Sequence, residues 1–537
     1  MLIKGKGSGL AETSKDKADE LNDFYARFDD KDFESERTKC VDELNNVDCD
    51  YDKISFSEDE VKKQLYKLNV KKAAGPDGIH PRVLKLCANQ LSYICHTMFS
   101  MSLAKCEIPE IWKKSCLIPV PKKVNISCLN DLRPVALTSH IMKVFERLFL
   151  SKLRPLVQNF QDPLQFAYRS SIGVDDALLY MLNSVYSHLD KSASYVRIMF
   201  FDFSSAFNTI QPHLLAQKLK NMCLHPDIIK WILHYLTDRP QYVRLQNNRA
   251  NKHPQVNTRR NTDTFITSDT ITTYTGAPQG TVLSPFLFTL YTSDFSFSNN
   301  SCHLQKFSDD SAVIGLIRQE NEKEYRDRVD DFVEWCENNF LLLDVSKPKE
   351  LVIDFRRKKS QITPVKMKGT DIEIVDSYKY LGVVIDSKLS WSLHIDKVYK
   401  KTQSRLFFLR KLRSFNVCNR MLKMFYDTVL CSLLSFALVC WGVNATMRDK
   451  NKLNKLIKKA GSCVGMKLDD LDTILERRLA VKGRKIEKEE LHPLHNTLVN
   501  LSSGSRTRSK YHLPSINTDR YGKSFIPSIV RLLNKNK

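Results

Sequence analysis

The sequence has 14 cysteines but no Cys-x-x-Cys pair and no Cys/His set at zinc spacing, which argues against a structural zinc module. No charged-then-apolar leader opens the chain, so these thiols are expected to be reduced and mostly buried, in an intracellular protein. Long apolar runs are also missing. The most apolar stretch, residues 428–443, is short for a bilayer and bounded by Asp427, and is expected to be a buried helix with no membrane role. There is no internal repeat. Negative charge is in deficit: 61 acidic side chains stand against 83 Lys and Arg, giving a net charge of +22 and a pI near 9.3. That excess predicts a polyanionic partner, nucleic acid first, whose counterions are released on binding; a solvated basic surface is the plainer alternative. The imbalance is local, since residues 397–459 hold fifteen Lys or Arg against only Asp427 and Asp449.

An apolar share of 42%, with 28 Phe and 19 Tyr, is enough for folded cores. The length implies roughly two to four packed subdomains. The first fifty residues read as a Gly/Lys/Ser-rich tail and one short amphipathic helix over residues 18–28, a linker-like segment. Ser57 and Glu60 have capping-box spacing before Val61, Leu65 and Leu68, and Gly75-Pro76-Asp77-Gly78 is a turn. Residues 116–123 read as a strand ending in Lys122-Lys123, and Arg133 stands beside an extended X-Pro unit; these cations could grip phosphates or merely solubilise. Residues 139–153 form an amphipathic helix. Residues 247–273 are polar and read as an insertion, and residues 377–386 as one strand bent at Gly382. The part after residue 459 is polar and low in signal.

Lys306-Phe307-Ser308-Asp309-Asp310-Ser311-Ala312-Val313 joins two apolar runs through a tight polar turn, the pattern of a β-hairpin with both aspartates at its tip. Asp suits turns for backbone reasons alone, so the doublet by itself fits a plain turn as well as a site. Asp202 closes the apolar strand Val196-Arg197-Ile198-Met199-Phe200-Phe201, where an unpaired acid is costly and should meet a cation or a metal. It is the natural companion of Asp309 and Asp310. Three carboxylates without an all-protein cage suit Mg²⁺, which shares one or two carboxylates with substrate phosphates. Two such ions about 3.5 to 4 Å apart would serve in-line displacement at phosphorus, the chemistry of polymerases and nucleases. Gly276-Ala277-Pro278-Gln279-Gly280-Thr281 allows close backbone approach to a nucleotide and favours polymerase.

In these blocks the chain resembles the reverse transcriptases of non-LTR (long interspersed element) retrotransposons, from about residue 56 onward. The most specific are Phe201-Asp202-Phe203-Ser204-Ser205-Ala206-Phe207-Asn208, Gly276 to Pro285 and Phe307-Ser308-Asp309-Asp310; Ala73 to Ile79, Leu132-Arg133-Pro134-Val135, Ser346-Lys347 and Tyr380-Leu381-Gly382 complete seven blocks in order. The resemblance implies an α+β right-hand polymerase. Its domains would be a linker-like tail (1–53), fingers (54–195), a palm with an antiparallel sheet (196–386, within a reverse transcriptase domain of about 102–386), a basic helical thumb (387–465) and a C-terminal tail region (466–537).

The same resemblance implies that Asp202, Asp309 and Asp310 hold two Mg²⁺ ions, or Mn²⁺ in their place, with Lys347 as proton donor near the leaving pyrophosphate. Phe207 would exclude a ribose 2′-hydroxyl, Gln279 and Gly280 would line the incoming dNTP, and Lys122 and Arg133 would meet its triphosphate. The partners would be an RNA template and a DNA primer. The family's preceding endonuclease has no counterpart in residues 1–50, which points to an endonuclease supplied in trans. Ser308 stands where the family usually has Ala, Asp344 where it has Asn and Pro348 where it has Thr; Ser170-Ser171-Ile172-Gly173 is also altered. Three rivals follow: a polymerase relic that binds nucleic acid without catalysis, an RNA-dependent RNA polymerase with the same carboxylates, and a basic scaffold protein.

Overall fold

The computed structural model describes residues 14–29, 32–47, 51–246, 265–344, 346–502 and 510–535. Its nine principal strands are β1 (Ser115–Pro121), β2 (Leu132–Leu137), β3 (Ser194–Phe201), β4 (Arg239–Gln246), β5 (Phe265–Thr267), β6 (Ile271–Thr273), β7 (Cys302–Phe307), β8 (Asp310–Arg318) and β9 (Lys349–Ile353). The chain forms two compact units interleaved in sequence: Met1–Asp162, Ser204–Phe295 and Trp335–Leu342 make the first, and Pro163–Phe203, Ser296–Glu334 and Leu343–Lys537 the second.

The first unit is built on a sheet of order β2-β1-β4-β5, with β6 also on β4. β1 runs antiparallel to β2 and parallel to β4. Its helices bury a dense aromatic cluster in which Phe99 stacks on Phe145 and Phe149 on Trp231, with ring centroids 4.4 and 4.1 Å apart. The capping box forms as read: Ser57 Oγ accepts from Glu60 N–H, and Glu60 accepts from Ser57 N–H. Two readings change here. The stretch taken as an insertion contains β5 and β6, both paired with β4, and residues 247–264 lie outside the described residues. The N-terminal segment holds two helices, α1 (Ser14–Ala26) and α2 (Glu34–Asn45), and α1 buries Ala18, Leu21 and Tyr25 with Leu117, Leu132, Ala136 and Val243 of the sheet.

The second unit centres on the sheet formed by Glu373–Val375, β9, β3, β8 and β7. Every pair is antiparallel except Glu373–Val375 with β9. β3 is buried along its whole length, which explains its unbroken apolar run. Val196, Ile198 and Phe200 face a core shared with the helix Val174–Leu189. Phe201 faces Phe332 of the helix Lys323–Asn338. Arg197, on that second face, is fully buried and pairs bidentately with Glu350 at 2.7 and 2.6 Å.

Residues 377–386 are a hairpin rather than one bent strand, since Leu381 and Gly382 both have positive φ and turn Ser377–Tyr380 back onto Val383–Asp386. The helical run Asn419–Trp441 starts well before the apolar stretch read from the sequence: its 23 residues are apolar enough to cross a membrane by length and composition, and half of its most apolar part is buried. It contains a π-turn at Tyr426–Cys431 and packs Leu422, Tyr426 and Leu430 on the basic helices. The low-signal C-terminal region folds, with Phe525, Ile526, Ile529 and Val530 entering the unit's main core. Asp190 ties it down by accepting from the N–H groups of Asn517 and Thr518 at 2.9 and 2.7 Å. All cysteines among the described residues are free thiols.

Candidate active site

In the second unit, the register of β3 on β8 sets Phe201 opposite Ser311, so Asp202 leaves β3 beside Asp310. β7 and β8 close through Phe307 opposite Asp310, which puts Ser308-Asp309 at the hairpin tip. Ser308 has φ 60°, a left-handed conformation that glycine would take more cheaply. Side chains from the preceding segment hold it. Gln165 Oε1 accepts from Ser308 N–H at 2.9 Å, and the Tyr168 and Ser308 hydroxyls are 2.8 Å apart. The hydroxyl that distinguishes Ser308 from the usual Ala is thus engaged.

Desolvation, then the neighbouring Asp309 and Asp202, pushes the Asp310 carboxyl up to about 6. Three carboxylates therefore share a region that is short of positive charge. Lys347 is the cation that reaches it, with Nζ 3.2 Å from Asp202 and 3.1 Å from Asp344. Burial opposes the Lys347 charge, but the hydrogen bonds to Asp344 and Asp202 outweigh it and raise the ammonium above its ordinary range. Asp344, placed by the bridge between Phe203 and Leu343, accepts from Ser346 Oγ at 2.6 Å. The turn carrying Lys347 closes through Lys347 N–H to Asp344 C=O at 3.0 Å, one residue before Pro348. The N–H that Pro348 lacks is not used there. Among the described residues no three His, Cys, Asp or Glu side chains form a group that could hold a metal ion. The all-oxygen donor set fits Mg²⁺ only in its usual mode, in which substrate phosphates and water complete the shell.

The first unit assembles the other candidates. Arg133 is exposed on β2 opposite Val120, and Lys122 is exposed just past the end of β1. The Lys123 side chain pairs with Asp131 at 2.9 Å, and the Lys122 N–H donates to the Asp131 carbonyl at 2.7 Å. The Gln279 carbonyl accepts from Ala136 N–H at 2.7 Å, and Gln279 Nε2 donates to Asn208 Oδ1 at 3.1 Å. Gly280 has φ 118°, and a Cβ there would stand 2.8 Å from the Ala136 carbonyl oxygen. Ala277 N–H donates to the Phe207 carbonyl at 2.7 Å, and the Phe207 ring packs on Phe288 at 5.1 Å. Phe207, Gln279 and Gly280 are thus joined to one another and to β2.

Glu146 was missed in the sequence. It is fully buried on the helix His140–Leu156, and Oε2 accepts from Val282 and Leu283 N–H at 2.5 and 3.0 Å, at the start of the helix Ser284–Tyr291. An acid among Met142, Phe145 and Phe149 on the apolar face was the available signal. Gln165 and Tyr168 offered none, because their partner Ser308 is distant in sequence.

Residues 120–385 match the family described as reverse transcriptase (RNA-dependent DNA polymerase). A short second match, residues 391–429, is to the N-terminal region of alkylated DNA repair protein alkB homolog 8. The chain is similar to the RNA-directed DNA polymerase from mobile element jockey of Drosophila melanogaster, at 24% identity over 74% of this chain and 42% of that protein. It is also similar to the probable RNA-directed DNA polymerases from transposon BS (22%, covering 75% and 44%) and transposon X-element (24%, covering 78% and 45%) of the same fly. This chain therefore spans less than half the length of these curated relatives. The α+β architecture is that of the right-hand polymerases to which the matched family belongs. Residues 120–385 are thus a reverse transcriptase domain, and the chain is similar to the reverse transcriptases of non-LTR retrotransposons.

Proposed function

We propose that the protein is an RNA-directed DNA polymerase, adding dNTPs to a DNA primer 3′-hydroxyl on an RNA template inside the cell. The observation that carries this reading is the crowding of Asp310 by Asp309 and Asp202, an arrangement whose repulsion a divalent cation would relieve. Asp202, Asp309 and Asp310 would hold Mg²⁺, or Mn²⁺, which when bound would neutralise charge on the reacting phosphates. Lys347, kept protonated by Asp202 and Asp344, would donate its proton to the leaving pyrophosphate. Gln279, Gly280, Lys122 and Arg133 would bind the nucleotide, Phe207 would reject a 2′-hydroxyl, and the cations of residues 397–459 would grip the duplex backbone. A nick made by an endonuclease in trans would supply the primer end. The relic reading drew on the altered surroundings of Lys347. That side chain nevertheless reaches Asp202, which favours the enzyme.

Primer extension with purified protein, RNA template, dNTPs and Mg²⁺ tests the proposal. Asp309→Ala should lower the rate by at least about a thousandfold while template binding persists. Extension by the variant at the wild-type rate would sink the assignment.

A further inference from the structure

The short segment that follows α1, Arg27 to Asp29, lies outside the matched family domain, yet it contacts both loops that carry Phe207 and Gln279. Asp29 accepts from the backbone N–H of Tyr274 at 2.8 Å and lines one cavity with Thr275. These two residues immediately precede Gly276. Arg27, whose guanidinium is stacked 3.8 Å over the Phe24 ring and 4.2 Å over Phe28, reaches Ser205 Oγ with Nη2 at 3.5 Å. Ser205 opens the one-turn helix that carries Phe207. The third link runs through the core: Ala18, Leu21 and Tyr25 pack with Ala136, the residue whose N–H holds the Gln279 carbonyl. Between these links is a cavity of ≈ 50 Å³ lined by Tyr25, Phe28, Asp29, Asn208, Gly276 and Gln279. A helix joined to a loop by a charge-assisted hydrogen bond, a stacked guanidinium and a shared core restricts that loop before any ligand arrives.

We propose that Tyr25–Asp29 is a built-in brace of the nucleotide-selecting loops, with Asp29 a positioning residue for Gly276–Gly280 and Arg27 one for the Phe207 turn. The inference rests on the polymerase reading for its functional consequence, and on geometry alone for the brace. Asp29→Ala should raise the dNTP KM about tenfold, with kcat, melting temperature and template–primer Kd within about twofold or a degree or two of wild type. Asp29→Asn, whose amide oxygen still accepts from Tyr274, should restore the wild-type KM. Arg27→Ala should lower the preference for dNTP over rNTP.

Hydrogen exchange supplies an arm independent of activity: the Gly276, Ala277, Gln279 and Gly280 amides should exchange faster in Asp29→Ala, with β1 unchanged. An unchanged KM, an equal rise in Asp29→Asn, or a rise that comes only with loss of kcat and melting temperature overturns the proposal. An inactive wild type would remove the polymerase reading, and unchanged exchange would then remove the brace as well.

Discussion

The Gln279 loop of the first unit and the Asp309 hairpin of the second are both tight turns with positive φ, and they are held in opposite ways. Main-chain bonds and one buried acid fix the first: Ala136 N–H to Gln279 C=O, Ala277 N–H to Phe207 C=O, and the Val282 and Leu283 amides on the carboxylate of buried Glu146. It uses glycine where φ is 118°. The hairpin instead places serine at φ 60° and relies on side chains, with Gln165 and Tyr168 on Ser308 and Lys347 on Asp202. A loop held by close backbone approach and by buried acids should tolerate changes of surface charge, but not of backbone freedom or of the acids that accept from its amides. A turn fixed by side chains around like charges should respond instead to loss of those side chains and to changes of its own charge. The hairpin also stores repulsion among its carboxylates, a common trade of stability for function.

The sharpest break in that contrast would come from Gly280→Ala. A Cβ 2.8 Å from Ala136 O, at φ 118°, should cost at least about 2 kcal/mol and lower nucleotide affinity, read by melting and by dNTP KM. A wild-type KM would mean that the loop is not held by close approach. Next in size, Gln165→Ala leaves the Ser308 N–H without its acceptor and should cost about 1–2 kcal/mol, with slower primer extension. Retention of full extension would show that Tyr168 alone suffices.

The smallest effect is opposite in sign. Asp310→Asn removes a charge opposed by desolvation and by the neighbouring Asp309 and Asp202, and should raise the melting temperature at neutral pH, by no more than about 1 kcal/mol because solvent screens the exposed part of the residue, while extension falls. Because the wild-type carboxyl is pushed up to about 6, the stability gain should start to fall as pH drops below about 6 and be largely gone near the ordinary Asp value, where the unfolded chain also protonates. A gain that persists at pH 4 would refute repulsion as its source.

How much was legible depended on how local the signal is. The β7–β8 hairpin, the end of β3 at Asp202 and the helix after Ser284-Pro285 were readable because period, turn residues and caps act within a few positions. α1 was legible in its apolar spacing over residues 18–28, whereas α2 was obscured by its charge and the C-terminal helix Phe525–Lys535 by the polar stretch before it, although Ile526, Ile529, Val530 and Leu533 have helical spacing. β5 and β6 are three residues each and gain their strand character only from pairing with β4.

The sequence by itself determined the order of the motifs, the family they point to, the basic charge and the acidic tip of the hairpin, since each is encoded by neighbouring residues. Only the tertiary structure decided which groups meet. The side chain of Arg197 finds Glu350 across 153 positions, and Gln165 finds Ser308 across 143. It also decided that Lys347 reaches Asp202, that the Lys123 side chain pairs with Asp131, and that Asp29, just past α1, accepts from Tyr274 at the start of the Gln279 loop. The physical reason is register: a strand's pattern states which face is buried, but its partners are set by the packing of the whole sheet.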